Sequence, residues 1–359
     1  ISVAGPGSIF WMWVTAIIGI ATKFFTCTLS VMYREKTKEG EIFGGPMYVI
    51  KNGLPKRMLP LAYFFALAGM IGCLPAFQSN QLIQITGDLA FSEIENFNIF
   101  GGLALAAITG IVVIGGLKRI AEVATFLVPL MGSIYFGAMI IALILNLNLV
   151  LPAFKLIFVD AFNGTAIAGG TFFGVLIYGV RRGAFSNEAG MGTESLVHGV
   201  AKVSNPVKQG LVAMTGPIFD TLIICTATAL MILVSGVWET STSQGVTLTA
   251  EAFSVLLGNF GGLILFICVI CFGLSTIFTY SYYGASCSRF LFGKFGMKFY
   301  IYLYIFSIFI YSIVPIDIAI NIADGAFAMM AIPTLISALW LAPKVMQASR
   351  NYFKLIDNN

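Results

Sequence analysis

Apolar runs near residues 8–31, 60–86, 99–117, 122–146, 166–181, 210–236, 250–283, 298–314 and 317–341 leave this chain one solvent in which to fold. A helix rising about 1.5 Å per residue needs about 20 apolar residues to cross roughly 30 Å of hydrocarbon. Nine runs approach that length, which predicts nine transmembrane helices. The runs are continuous and lack the short alternation of barrel strands, so the expected class is an all-α polytopic membrane protein. Composition agrees: 58% of residues are hydrophobic, 10% are charged, and the mean hydropathy is +0.93. Soluble domains carry about a quarter charged residues.

The basic residues set the expected orientation. Taking the 32–58 loop as cytoplasmic, alternate loops (32–58, 118–121, 181–209, 284–298 and the tail from 342) hold 18 of the 20 Lys and Arg. That asymmetry is the positive-inside pattern, and it predicts a plasma-membrane protein with a cytoplasmic C-terminus. The same placement accounts for the net charge of +4 without a nucleic-acid partner. The six cysteines lie in or near apolar runs and read as small hydrophobes. Cys268 and Cys271 form a CxxC, but a single histidine (His198) and no second pair argue against a zinc or redox site.

The chain opens ISVAGPGSIFWMW, with no methionine or signal peptide, and reads as N-terminally truncated. One further upstream span would give ten helices, which divide into two sets of five with opposite orientation. This is the inverted-repeat plan of many secondary transporters. On that plan residues 1–148 are the rest of the first repeat, 149–341 the second repeat and 342–359 a cytoplasmic tail. The first helix of each repeat is expected to break near the bilayer centre. The candidate is AIAGGTFFGVLIYGVRRG, in which Gly169, Gly170 and Gly174 break the helix early and Gly179 and Gly183 late. Close helix packing is the competing use of each glycine.

Five stretches carry a resemblance. FWMWVTAIIGIATKF (10–24), GGPMY (44–48), RRGAFSNEAGMG (181–192), FDTLIICT (219–226) and FGLSTIFTYSYYG (272–284) are similar, in order, to the sodium:alanine (alanine or glycine:cation) symporter family. The resemblance implies a LeuT-type fold of eleven helices that imports alanine, glycine or a similar small amino acid with sodium. It also implies that two N-terminal helices are absent here, including a broken helix that belongs to the substrate and sodium sites. Thr26 stands where the family is expected to carry glutamate, which weakens any role for that position.

The polar residues inside the runs are the candidates. Asp220, in GPIFDTLIICT, costs about 2.5–3.5 kcal/mol to insert and needs a partner. A substrate ammonium is one such partner, through a charge-assisted hydrogen bond, and Lys23 is the structural alternative. Thr171, Phe172, Phe173 and Gly174 sit at the expected break, where a ring closes over a small side chain and freed backbone meets its carboxylate. Core or lipid packing is the alternative for both phenylalanines. Ser275, Thr276 and Thr279 cluster hydroxyls on one helix. Sodium prefers oxygen ligands, and by resemblance to LeuT-type transporters the Ser275–Thr276 pair completes a sodium site with the broken helix. The alternative is hydroxyls bonded back to carbonyls one turn earlier. Arg182, Asn187 and Glu188 read as a cytoplasmic gate or hinge, latching to other inner loops, against a static capped turn.

Three other function classes fit less well. A channel needs a repeated pore-lining filter, whereas these polar residues are scattered. An intramembrane enzyme needs a nucleophile elbow, a His/Cys/carboxylate cluster or paired aspartates, and none is present. There is no GxxxxGK[ST] ATP motif and no organic cofactor is expected. An inactive truncated member of the family and a proton-coupled amino-acid transporter remain as alternatives.

Overall fold

The computed structural model describes residues 1–91, 93–163, 172–243 and 245–357. It is nearly all helix. In chain order come α1 (Ser8–Met32), a hairpin of β1 (Glu35–Lys36) and β2 (Ile42–Phe43), α2 (Pro46–Gly53), α3 (Leu59–Gly72), α4 (Ala76–Ala90), α5 (Phe97–Val113), α6 (Gly116–Leu145) and α7 (Leu147–Asn163). Then follow α8 (Phe172–Asn187), α9 (Thr193–His198), α10 (Pro206–Pro217), a π-helical turn (Ile218–Cys225), α11 (Thr226–Ser235), α12 (Val237–Thr240), α13 (Val246–Leu257), α14 (Asn259–Ile313) and α15 (Ile316–Asp357). The two strands are antiparallel, with Glu35 opposite Phe43 and Lys36 opposite Ile42.

Six stretches among the described residues are long and apolar enough to cross a membrane: Ser8–Met32, Lys56–Asp88, Gly116–Leu145, Pro206–Ser235, Phe260–Ile313 and Ile318–Ile356. Nine were expected. The difference has local causes. Phe97–Val113 is apolar but short, and α8 is only 16 residues. Gly293 (φ 67°, ψ −159°) divides α14, so two expected helices lie in one stretch. The expected 250–283 helix is interrupted at Gly258 (φ 66°, ψ −158°), a backbone conformation open to glycine and costly for other residues.

Side chains sort as a lipid-embedded bundle requires. Ile17, Ile18, Phe126, Leu151, Phe260 and Leu339 point outward, while Phe65, Tyr300, Tyr304 and Met330 are buried where α3, α14 and α15 meet. The buried phenols find carbonyls: Tyr300 Oη donates to Met70 O (2.7 Å) and Tyr304 Oη to Ile277 O (2.6 Å). Asn80 on α4 donates to the carbonyls of Tyr311 (3.2 Å) and Val314 (2.6 Å), covering groups that the end of α14 leaves without helical partners.

The feature that positions the site is α1, flanked by α8 on one side and α10 on the other. Small residues allow the approach. A Cβ at Gly179 would lie 2.5 Å from Ser8 O, one at Gly183 2.9 Å from Thr15 Cβ, and one at Gly210 2.9 Å from Phe24 O. Gly179 and Gly183 are expected from sequence to break the helix, but α8 runs through both, and they seat it against α1. Gly169, Gly170 and Thr171 lie outside the described residues. Gly174 sits inside α8, with open space where a side chain would be.

Candidate functional site

The interruption of α8 falls at its far end. Asn187 is its last residue, and Glu188 (φ 56°), Gly190 (φ 84°) and Gly192 (φ 90°) then take left-handed backbone, which no helix continues through. For a glutamate that conformation costs about 1–2 kcal/mol. Despite its polarity the turn is interior: Asn187, Gly190, Met191, Gly192 and Thr193 are all buried. A Cβ at Gly192 would lie 2.6 Å from both Pro46 Cγ and Thr334 Oγ1. Irregular backbone of this kind is tolerated where the surrounding protein buries it.

Opposite this turn, Pro217 removes an N–H from the helical ladder, and the chain widens into the π-helical turn Ile218–Cys225 that carries Asp220. Ser186 Oγ donates to Asp220 Oδ2 at 2.6 Å and Thr221 Oγ1 to the same oxygen at 3.3 Å. No Lys23–Asp220 ion pair within 4 Å occurs among the described residues. Lys23 instead lies against Gly216, whose Cβ would sit 3.1 Å from Nζ, one turn before Asp220.

Two cavities meet at Ser186, Glu188 and Asp220. The larger, about 530 Å³, is walled by Phe77, Phe185, Phe272 and Val269, with Thr276 and Tyr280 beside the carboxylates. The smaller, about 280 Å³, is polar and holds Lys23, Asn187, Glu194, His198 and Tyr283. Glu188 spans both: Oε2 accepts from Thr193 Oγ1 (2.7 Å) and Oε1 from Tyr280 Oη (2.9 Å). These contacts run to its own turn and to α14, whereas the sequence reading had Asn187 and Glu188 latching to inner loops. Asn187 Oδ1 accepts from the Ala189 N–H (3.0 Å).

Glu194 is 4% exposed, and its Oε1 accepts from Thr26 Oγ1 at 2.8 Å. Burial raises its carboxyl to about 7, against the opposing pull of Lys23 and of the Thr26 hydroxyl. His198 accepts at Nδ1 from Gln209 Nε2 (2.5 Å), and burial brings its imidazole down to about 4, aided by Lys23. It is a neutral ring near pH 7.

The remaining candidates fall as follows. Phe172 packs edge-on against Trp11 and Phe173 points outward; both sit about 20 Å along α8 from Ser186 and line neither cavity. Gly174 lies with them. Ser275 and Thr276 hydroxyls donate to Phe272 O and Thr279 to Ser275 O, each at 2.9 Å, so their lone pairs remain open, and Thr276 faces the larger cavity. Arg181 and Arg182 both donate to Asp324 Oδ2 on α15 at 2.7 Å, and Arg182 lies over the Phe185 ring. Sequence reasoning missed Asp324, Glu194, Ser186 and Tyr280. An aspartate well inside the 317–341 run, seven residues after Asp317 at its start, was the available signal for the first. Glu194 lay in the loop where charge looked unremarkable.

The profile of the sodium:alanine symporter family matches residues 1–359. An uncharacterized transporter from Bacillus subtilis (strain 168) is 37% identical over 97% of this chain and 74% of its own length. A sodium/alanine symporter from Methanococcus maripaludis is 36% identical over 99% of this chain and 79% of its own. A probable sodium/glutamine symporter from B. subtilis is 34% identical over 98% of this chain and 73% of its own.

Proposed function

Because the chain belongs to the sodium:alanine symporter family, we propose that it imports alanine, glycine or a similar small neutral amino acid together with sodium across the plasma membrane, its C-terminus cytoplasmic. The observation that carries this reading is the larger cavity, apolar along its walls and acidic at one end, where Asp220 and Glu188 meet. A zwitterion with a small side chain suits that division. Its ammonium donates charge-assisted hydrogen bonds to the carboxylates, and its side chain lies among Phe77, Phe185 and Phe272.

Sodium is assigned to the hydroxyl face of α14. Ser275, Thr276 and Thr279 offer oxygen lone pairs to a hard cation without a buried charge. The drive is sufficient: one cation moving through about 100 mV releases about 2.3 kcal/mol, roughly a 50-fold accumulation. Gating is assigned to the buried turn beside Glu188, where two positive-φ glycines give the backbone alternative paths, and to Arg182 with Asp324. The division into two inverted repeats, 1–148 and 149–341, belongs to the same proposal.

The test is uptake of labelled alanine into proteoliposomes holding this chain, with an inward sodium gradient, with that gradient abolished, and with excess glycine or glutamine as competitor. Uptake that needs the gradient and is displaced by glycine is the expected result. Uptake driven equally by a proton gradient would transfer the coupling to protons. Displacement by glutamine alone would move the substrate class toward that of the sodium/glutamine relative.

A further inference from the structure

The smaller cavity is lined by two residues that each carry a buried polar atom with no hydrogen-bond partner among the described residues. Glu194 Oε2 and Asn187 Nδ2 both lack a hydrogen-bond partner, and their residues are 4% and 2% exposed. Both residues line the same space of about 280 Å³. The groups facing Glu194 are Lys23 and Cys27 on α1, Glu188 in the turn, His198 on α9, Asp220 in the π-helical turn and Tyr283 on α14. Among the described residues Lys23 makes no contact ion pair, so a charged Glu194 stands in low dielectric with two other carboxyl groups and no touching cation. Among the described residues, no three His, Cys, Asp or Glu side chains are close enough to share a metal ion.

We propose that Glu194 is a proton-binding site. It holds a proton on Oε2 in the packed arrangement described above and releases it into the small cavity when a cation occupies the larger cavity, which Thr276, Glu188 and Asp220 line. The neutral acid removes the cost of burying an unpaired carboxylate, and its O–H donates to a water in a cavity large enough to hold one. Release is linked to cation binding by charge. An ionised Glu194 adds a third negative group to the cavity, which a cation at Glu188 and Asp220 offsets. Burial also raises the carboxyl to about 7, so its proton is exchangeable under ordinary conditions.

The connection to the transport elements is direct. Thr26 and Ser30 on α1 bond Glu194 and the Ser195 carbonyl on α9, while Thr193 at the start of α9 bonds Glu188. Glu188 faces both cavities.

The test is infrared titration of the purified chain, following the carboxylic-acid C=O stretch between pH 5 and 9. The expected result is a band that disappears with a midpoint near 7, is absent in Glu194→Gln, and shifts to lower pH when sodium replaces a large organic cation. A band that survives Glu194→Gln, or a titration confined to the ordinary glutamate range, would overturn the assignment. Should Glu194→Gln fail to fold, Thr26→Val carries the test: loss of a donor to the ionised form moves the midpoint upward, and an unchanged midpoint would overturn it. A second arm rests on the transport reading. The sodium concentration for half-maximal alanine uptake should rise as pH falls from 8 to 6 in the wild type and stay flat in Glu194→Gln. A titrating band without any uptake would uphold the proton site and overturn the transport reading.

Discussion

The phenol of Tyr280 on α14 donates to Glu188 Oε1 at 2.9 Å, tying the one glutamate with left-handed backbone to a helix 92 residues away in sequence. This bond is the contact most exposed to substitution, because Glu188 keeps only Thr193 without it. Hydrogen bonds to charged groups are worth about 1.5–3 kcal/mol. Tyr280→Phe should raise the half-maximal alanine concentration about tenfold, equivalent to about 1.4 kcal/mol, with normal membrane insertion. Transport kinetics in proteoliposomes check it. Unchanged kinetics would mean that Glu188 is held by its own turn.

Arg181 and Arg182 converge on a single oxygen of Asp324, whose side chain is 13% exposed. Either arginine alone still pairs the carboxylate. Arg181→Ala and Arg182→Ala should therefore each cost about 1 kcal/mol or less, as partly exposed ion pairs do. The double variant leaves an uncompensated charge and should cost about 3–5 kcal/mol. A double-mutant cycle on thermal unfolding measures the excess, and simple additivity would show that the two pairs act independently.

Glycines in α8 separate packing from flexibility. A methyl at Gly179 would meet the backbone oxygen of Ser8 at 2.5 Å, whereas nothing lies within 4 Å of one at Gly174. Gly179→Ala should destabilise by about 1–3 kcal/mol, since the added methyl would overlap the Ser8 backbone oxygen and Trp11 Cβ of α1. Gly174→Ala should be neutral or stabilising by about 0.5–1 kcal/mol. Melting curves on the two variants suffice to check this, and equal effects would refute the packing assignment.

These same glycines show what sequence could and could not carry. Apolar runs fixed by bilayer thickness were legible, because length and hydropathy are local properties. The cluster from Gly169 to Gly183 suggested a break, yet Gly179 and Gly183 lie one turn apart and face α1. Packing and unwinding use the same residue, and only the neighbouring helix distinguishes them. Asp220 and Glu188 were legible as charged residues in an apolar chain, but their lining one cavity depends on the π-helical turn after Pro217, where Ser186 bonds Asp220. Phe172 and Phe173 were assigned to the site from the break expected at Gly169 to Gly174, whose first residues lie outside those described, and they face Trp11 and the exterior. Glu194 escaped notice because burial of a loop is a tertiary fact: α2, α3 and α15 cover the turn that leads into it.

Two neighbours on α9 should impose opposite pH dependences on folding. His198 is near 4 when folded, below its ordinary 6.5, so between those values the unfolded chain binds the extra proton and stability rises with pH. Glu194 is near 7 when folded, above its ordinary 4.5, so between those values the folded chain binds the extra proton and stability falls as pH rises. The windows overlap from about 4.5 to 6.5, and the wild type should change less there than a variant lacking either group. His198→Asn keeps an acceptor for Gln209 and removes one slope, so melting temperature should fall as pH is raised through that window. Glu194→Gln removes the other, and melting temperature should rise instead. A full shift of about 2.5 units is worth about 3 kcal/mol, and partial exposure of His198 reduces its share to about 1–2 kcal/mol. Parallel slopes in the two variants would show that the pH response arises elsewhere in the chain.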